Sequence, residues 1–349
     1  MSRYKSWLVL ASVLLGWFAA SVEAQNSGSS VTRGEFIGAM PTQYPAWFKE
    51  SFLEFHSDIE EAAQAGKRVL VLFHQDGCPY CNRLVETNLA QQDIEQYVRE
   101  NFDVIAVNMW GDREVVTVGG KTYTEKTFAA ALRVQFTPTL IFFDEHGKVA
   151  LRLNGYLPPG EFKVALRYVA EKREQSEPYR EYMQAHSPPR GTGKLNAQAF
   201  FHDPPYDLAS NHSGKPIAVF FEQRDCPNCD TLHNSVLSDE QTRSLIRKFD
   251  VVQLDMWSKT PVTTPDNQQT TAREWARLLD VNYAPSIVLF DSSGAEVIRS
   301  EAYFKIFHTQ SLFDYVASGG YRHEPSFQRF ISERAEALRD KGVDVNIWN

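Results

Sequence analysis

Apolar residues follow two rhythms along this chain. Phe48, Phe52, Phe55 and Ile59 recur at helical spacing, with Lys49, Glu50, Glu54 and Asp58 between them. That spacing predicts an amphipathic helix over 47–65, ended by Gly66-Lys67. Val69-Leu70-Val71-Leu72-Phe73 is an unbroken apolar run of strand length, so a strand is expected over 68–73. A helix beginning near Cys78 should carry Leu84 and Val85, and a second short helix should cover Gln92 to Glu100. Phe102 to Asn108 reads as a strand, and Trp110 to Thr122 as a polar, Gly-containing excursion. Thr124 to Val134 is expected as a helix with Phe128, Ala129 and Leu132 on one face. Strands over Leu140–Phe143 and Val149–Leu153 flank the turn Asp144-Glu145-His146-Gly147, and Pro159 to Lys172 closes the unit as a helix.

The second half repeats this order. Phe102-Asp103-Val104 returns as Phe249-Asp250-Val251, and Trp110, Pro138, Asp144 and Gly147 as Trp257, Pro285, Asp291 and Gly294, all at an offset of 147. Cys78 returns as Cys226 at 148. One offset held across two α/β units is a duplication, and it has to be settled before the fold is read. The expected division is 47–186 for domain 1, 187–198 for a linker around Ser187-Pro188-Pro189, and 199–349 for domain 2. Domain 2 should lack a full first helix, because Phe200 to Gly214 holds two prolines and Asn-His-Ser-Gly. Phe327, Phe330, Ile331, Ala335 and Leu338 predict a last amphipathic helix that packs on its own domain.

Composition changes the picture mainly at the N-terminus. Arg3 and Lys5 precede an apolar stretch of fourteen residues, Trp7 to Ala20, and Val22-Glu23-Ala24 offers small residues for cleavage. Residues 1–24 therefore read as a cleaved export signal rather than a membrane span, which needs about 20 apolar residues. Residues 25–46, rich in Ser, Gly and Thr, are expected to be a flexible lead-in. A net charge of −8 over 349 residues, with no long basic stretch, gives no case for nucleic acid.

All four cysteines lie in two Cys-x-x-Cys units, Cys78-Pro79-Tyr80-Cys81 and Cys226-Pro227-Asn228-Cys229, each just after an apolar strand. A two-residue loop gains little from closure, so the arrangement suits reversible chemistry better than stapling. Zinc ribbons usually place their pairs about 15–20 residues apart, and covalent haem needs a His after the second Cys, where this chain has Asn82 and Asp230. No metal is expected, nor any cofactor beyond the cysteines. Pro79 and Pro227 suit the first helical position, which puts Cys78 and Cys226 at helix N-termini that favour a thiolate. These two are expected to be the exposed attacking thiols, with Cys81 and Cys229 resolving the mixed disulfide. Asp76 and Asp225 could oppose the thiolate, and Arg83 and Arg224 could support it. His74 and Glu222, each four residues before the first Cys, could hand a proton to the resolving thiol or could simply end the strand. Pro138 and Pro285 each precede an apolar strand, where either a cis or a trans bond would serve. A rival reading makes one or both domains binding or chaperone modules with inert disulfides, and domain 2, with its reduced front, is the candidate for silence.

The Cys pairs and the two proline-led strands resemble the thioredoxin superfamily. Val107 to Glu114, Phe136-Thr137-Pro138-Thr139 and the Phe327-to-Trp348 stretch are similar to the SoxW-like periplasmic thioredoxins. The resemblance implies two tandem thioredoxin-like domains, each a central mixed sheet flanked by helices. It implies that Pro138 and Pro285 are cis and that, with Thr137 and Ala284, they hold substrate beside the Cys pairs. It further implies a periplasmic thiol–disulfide oxidoreductase that reduces partner-protein disulfides and is fed by a membrane thiol-electron donor. An oxidase or isomerase is the alternative direction. The buried Asp that many members carry six residues before the first Cys is replaced here by Leu72 and Phe220, which adds interest to His74 and Glu222.

Overall fold

The computed structural model describes residues 32–186, 194–209 and 213–348. The expected export signal, 25–31 of the lead-in, and 187–193 of the linker lie outside them. The elements of domain 1 and its approach are β1 (Phe36–Ile37), α1 (Phe55–Gln64), β2 (Arg68–His74), α2 (Pro79–Arg83), α3 (Gln92–Asn101), β3 (Phe102–Asn108), β4 (Glu114–Val116), β5 (Thr122–Thr124), α4 (Glu125–Ala131), β6 (Thr139–Phe143), β7 (Val149–Asn154), α5 (Pro159–Ala170) and α6 (Tyr179–His186). Domain 2 and the C-terminal stretch follow as β8 (Tyr206–Asp207), β9 (Ile217–Glu222), α7 (Pro227–Thr231), α8 (Glu240–Ile246), β10 (Asp250–Asp255), β11 (Pro261–Thr263), β12 (Gln269–Thr271), α9 (Ala272–Leu278), β13 (Ser286–Phe290), β14 (Glu296–Ser300), α10 (Ile306–Ala317), α11 (Phe327–Arg339) and β15 (Val345–Asn346).

Each domain is built on a four-stranded sheet, β3-β2-β6-β7 and β10-β9-β13-β14. In both, the first two strands in chain order run parallel and the remaining pairings are antiparallel. The unbroken apolar runs of β2 and β9 take the central places, where both faces are covered. One core fills one face of each sheet, with Phe55, Phe73 and Phe128 in domain 1 and Phe221, Trp275 and Cys226 in domain 2. A third core fills the opposite faces of both sheets and runs unbroken from one domain into the other through Tyr80, Phe136, Phe304 and Phe327.

The domains meet about a local two-fold axis. Asn154 Nδ2 donates to Glu301 Oε2 at 2.6 Å, and these residues are 147 apart, so each is the other's counterpart. Gly155 abuts Ala302, again its counterpart. Gly155 has φ +101°, and a Cβ added there would lie 2.8 Å from Ala302 Cβ, so this close approach requires glycine.

Four expectations need correction. The first helix starts at Phe55 rather than Trp47: Leu53, at φ 62°, turns the chain so that Leu53 is buried and Phe52 is 96 % exposed. The excursion after Trp110 contains a hairpin, β4–β5, whose Val115 is buried and whose turn holds Gly120 at φ +76°. The lead-in is not structureless over its described part: β1 pairs in parallel with β15, and Met40 N donates to the Gly77 carbonyl at 3.2 Å. Residues 33–41 thus form a strap from the end of domain 2 across the Cys loop of domain 1. Finally, α11 packs on both domains, because Phe327 meets the ring of Phe136 and Gln328 bonds to Gln75 and to the Gln135 carbonyl.

Candidate active site

Both Cys pairs sit where a strand ends and a proline-started helix begins. Cys78 and Cys226 are the N-caps of α2 and α7, and each forms a disulfide with the cysteine three residues on, at Cα separations of 5.3 and 5.1 Å. In each, the backbone N–H of the second cysteine donates to Sγ of the first at 3.0 Å. That N–H is one of the helix's unpaired donors, and it remains in place to stabilise a thiolate when the disulfide opens. Both helices continue into a π-helical turn, Leu84–Leu89 and Leu232–Val236.

The Thr137–Pro138 and Ala284–Pro285 bonds are cis, as the resemblance implied. Thr137 Oγ1 donates to Cys78 Sγ at 3.3 Å, and the Thr137 carbonyl oxygen lies 3.5 Å from the same sulfur. Ala284 has no hydroxyl to offer Cys226, although it lines the same cleft. Pro138 and Pro285 each lead straight into an edge-paired central strand, β6 or β13.

The attacking cysteines were expected to be exposed. They are not, with Cys78 4 % and Cys226 3 % exposed. Exposure does not separate the two pairs, but what lies over them does. Around Cys78-Pro79-Tyr80-Cys81, domain 2 forms a wall. The Tyr80 ring packs edge-on against Phe304, His308 and Trp348, with centroids 5.7, 5.3 and 5.6 Å away. Its hydroxyl accepts the Lys305 N–H at 3.1 Å. Phe136, just ahead of Thr137, stacks on Phe304 at 5.0 Å. Burial pushes the Tyr80 phenol well above its ordinary pKa and holds His308 down at about 4.

Cys226 and Ala284 instead line a cleft of about 650 Å³ between domain 2 and the α5–α6 region of domain 1. Asn228 stands where Tyr80 stands, and it donates to the hydroxyl of Tyr283. Tyr283 in turn donates to Glu161 at 3.3 Å. Of the two pairs, it is around the first that the other domain packs its rings.

The two relay candidates part company. Glu222 is fully buried and bonds to His233 Nε2 at 2.9 Å, while His233 Nδ1 lies 3.2 Å from Gln198. The His74 ring packs 4.5 Å from Tyr44, lines a separate cleft with Lys49 and Arg113, and leaves Nδ1 unpartnered. Its burial lowers its pKa. Among the described residues neither makes a hydrogen bond to a sulfur. His233 had no signal in the sequence, because its counterpart is Val85. Gln75 and Gln223 gain a role: each accepts the indole N–H of its tryptophan, Trp110 or Trp257, at 2.8 Å. Arg83 lies between the rings of Tyr156 and Trp348, and Arg224 pairs with Asp255 at 3.4 Å, so each is already engaged away from its cysteine. No cluster of side chains able to hold a metal occurs among the described residues.

No curated protein matches the chain. Among solved structures it is similar to a thioredoxin-fold protein from Helicobacter pylori, at 25 % identity over 34 % of this chain and 79 % of that one, with a TM-score of 0.30. It is also similar to a thioredoxin from Thermus thermophilus, at 25 % identity over 40 % of this chain and 90 % of that one, with a TM-score of 0.28. A disulphide isomerase from Xylella fastidiosa Temecula1 shows 13 % identity over 40 % of this chain and 100 % of that one, with a TM-score of 0.25. The profile of the thioredoxin-like domain family matches twice, over residues 55–170 and 209–317. Those two matches take in both Cys pairs, the cis prolines Pro138 and Pro285 and both four-stranded sheets, and the chain belongs to the thioredoxin-like domain family.

Proposed function

We propose that this protein is an exported, periplasmic thiol–disulfide oxidoreductase that reduces the disulfides of partner proteins, with Cys226–Cys229 as its working pair. The observation that carries this reading is the Cys226 sulfur at a helix N-terminus, bonded by the Cys229 N–H and facing an open cleft. In the reduced protein, the Cys226 thiolate attacks one sulfur of the partner disulfide and the other partner sulfur leaves as a thiol. Cys229 then attacks Cys226, which releases the partner's second thiol and closes the protein disulfide. Two electrons and two protons pass to the partner. A membrane thiol-electron donor returns them. Export is supported by the basic start and apolar stretch of the first 24 residues. No helix among the described residues is long and apolar enough to cross a membrane.

Direction follows from the reduction potential. Glutathione titration of Cys78→Ser/Cys81→Ser, which keeps only the second pair, should give a value near that of thioredoxin, about −270 mV. A value near −120 mV would make the protein an oxidant instead. A pair that never reduces under native conditions would leave a binding module.

A further inference from the structure

The cleft beside Cys226 has a feature that thiol exchange alone does not use. Arg180, at the start of α6, lines it and is only 4 % exposed. Its guanidinium lies 4.5 Å from the Trp257 ring centroid. Glu161, Asp225 and Asp255 also line the cleft, but Asp255 is paired with Arg224 at 3.4 Å and Glu161 accepts from Tyr283 at 3.3 Å. On the other side of Arg180 lie Arg273 and Arg277 with the carboxylates Glu181 and Glu274. Arg273 pairs with Glu181 at 3.5 Å and Arg277 with Glu274 at 2.6 Å, so both carboxylates are taken. Arg180 has no ion pair among the described residues. Its Nη1 reaches only the Arg273 carbonyl at 3.3 Å, and its Nη2 is hidden from solvent with no hydrogen-bond partner. Burial and the neighbouring Arg273 both work against its charge. A buried, under-used guanidinium is costly unless something completes it, and its planar fork fits a carboxylate. The cleft it lines, about 650 Å³, is of small-molecule size and is walled by two domains.

We propose that Arg180 is an anion subsite of this cleft, and that Cys226–Cys229 also exchanges with a low-molecular-weight disulfide that carries a carboxylate near its sulfur. The proposal rests on the redox reading of domain 2 and adds a second substrate class to it. With the carboxylate on Arg180, the Cys226 thiolate bonds to the nearer substrate sulfur and the far half leaves as a thiol. Cys229 then displaces the bound half. The small disulfide gains two electrons and two protons, and the protein dithiol becomes a disulfide.

The test uses the full chain with Cys78→Ser/Cys81→Ser, reduced beforehand, so that one pair reports. Its single-turnover oxidation is timed with dithiodipropionate, which is anionic, with hydroxyethyl disulfide, which is neutral, and with cystamine, which is cationic. Each rate is divided by that of free dithiothreitol with the same disulfide. The normalised rate for dithiodipropionate should exceed the other two by on the order of tenfold, as expected for a charge-assisted contact. Arg180→Gln should erase that ratio and Arg180→Lys should keep part of it. Glutarate, which has no sulfur, should slow the anionic disulfide competitively. This last measurement needs no Arg180 variant and decides the matter if Arg180→Gln does not fold. Equal normalised rates without glutarate inhibition would overturn the anion subsite and leave the redox reading standing. Failure to react with any of the three would overturn both.

Discussion

Tyr80 and Asn228 stand at the same place between the cysteines of their repeats, and each looks across the local axis at the other domain. Tyr80 meets Phe304, Lys305 and His308. Their counterparts in domain 1 are Leu157, Pro158 and Glu161, of which Pro158 and Glu161 line the cleft with Asn228. The first set fills its gap with rings, and Trp348 and the strap complete the cover. The second set leaves a cleft lined by Cys226. The two disulfides share their place as helix N-caps and a 3.0 Å N–H···S contact in each. Duplication therefore preserved the placing of each pair at a helix start, and a few interface positions changed what lies beside it.

The sharpest way to break this comparison is kinetic. In single-pair variants of the full chain, a small dithiol should reduce Cys226–Cys229 on the order of 100-fold faster than Cys78–Cys81, because exchange depends on access to the attacked sulfur. Equal rates would show that the wall around Tyr80 opens freely.

Removing the wall should convert one site toward the other. Phe304→Ala takes away a buried ring that touches both Tyr80 and Phe136, at an expected cost of about 3–5 kcal/mol. Denaturant titration reads that cost, and the same variant should reduce faster at Cys78–Cys81. A variant that loses stability without any gain in rate would place the barrier elsewhere.

The axis itself can be probed at Gly155. Gly155→Ala places a Cβ against Ala302 and forces φ +101° on an L side chain, so a loss of about 1–3 kcal/mol is expected. Adding Ala302→Gly should relieve the collision but not the backbone, giving partial recovery by thermal unfolding. Full recovery would mean that the left-handed conformation matters little.

The narrowest effect, confined to one window, concerns pH. The His308 ring packs against those of Tyr80, Phe304 and Phe307, and burial holds its pKa at about 4 against an ordinary 6.5. The unfolded chain therefore binds a proton that the folded one refuses, and this contribution to stability is lost as pH falls from 6.5 toward 4. Below that it changes no further. His308→Leu should flatten the acid side of the stability–pH curve in that window alone.

Much of each domain could be read in advance because it depends on residues close in sequence. The apolar run of β2, the proline after Cys78 and the turn at Gly147 specify their own conformations. The constant offset of 147 carried that reading into the second half. Phe52 was misread because helical spacing cannot see that Leu53 reverses the chain and takes the buried place. His74 and Glu222 matched in sequence but not in surroundings, since their partners, Tyr44 and His233, come from elsewhere in the fold. The surroundings of Tyr80 were illegible for the same reason: its hydroxyl meets Lys305, 225 positions later, brought there by the packing of whole domains.

That distance has a consequence in time. A chain made from its N-terminus completes domain 1 well before Phe304, His308 and Trp348 exist, so the Cys78–Cys81 loop passes through a period without the wall around Tyr80. Oxidants, reductants and folding helpers can reach the pair then. A chain arrested after α6 should react at Cys78 readily, and one extended through Trp348 should not; equal labelling of the two would refute this. The first disulfide would then be set before the second domain docks, and enclosed when it does.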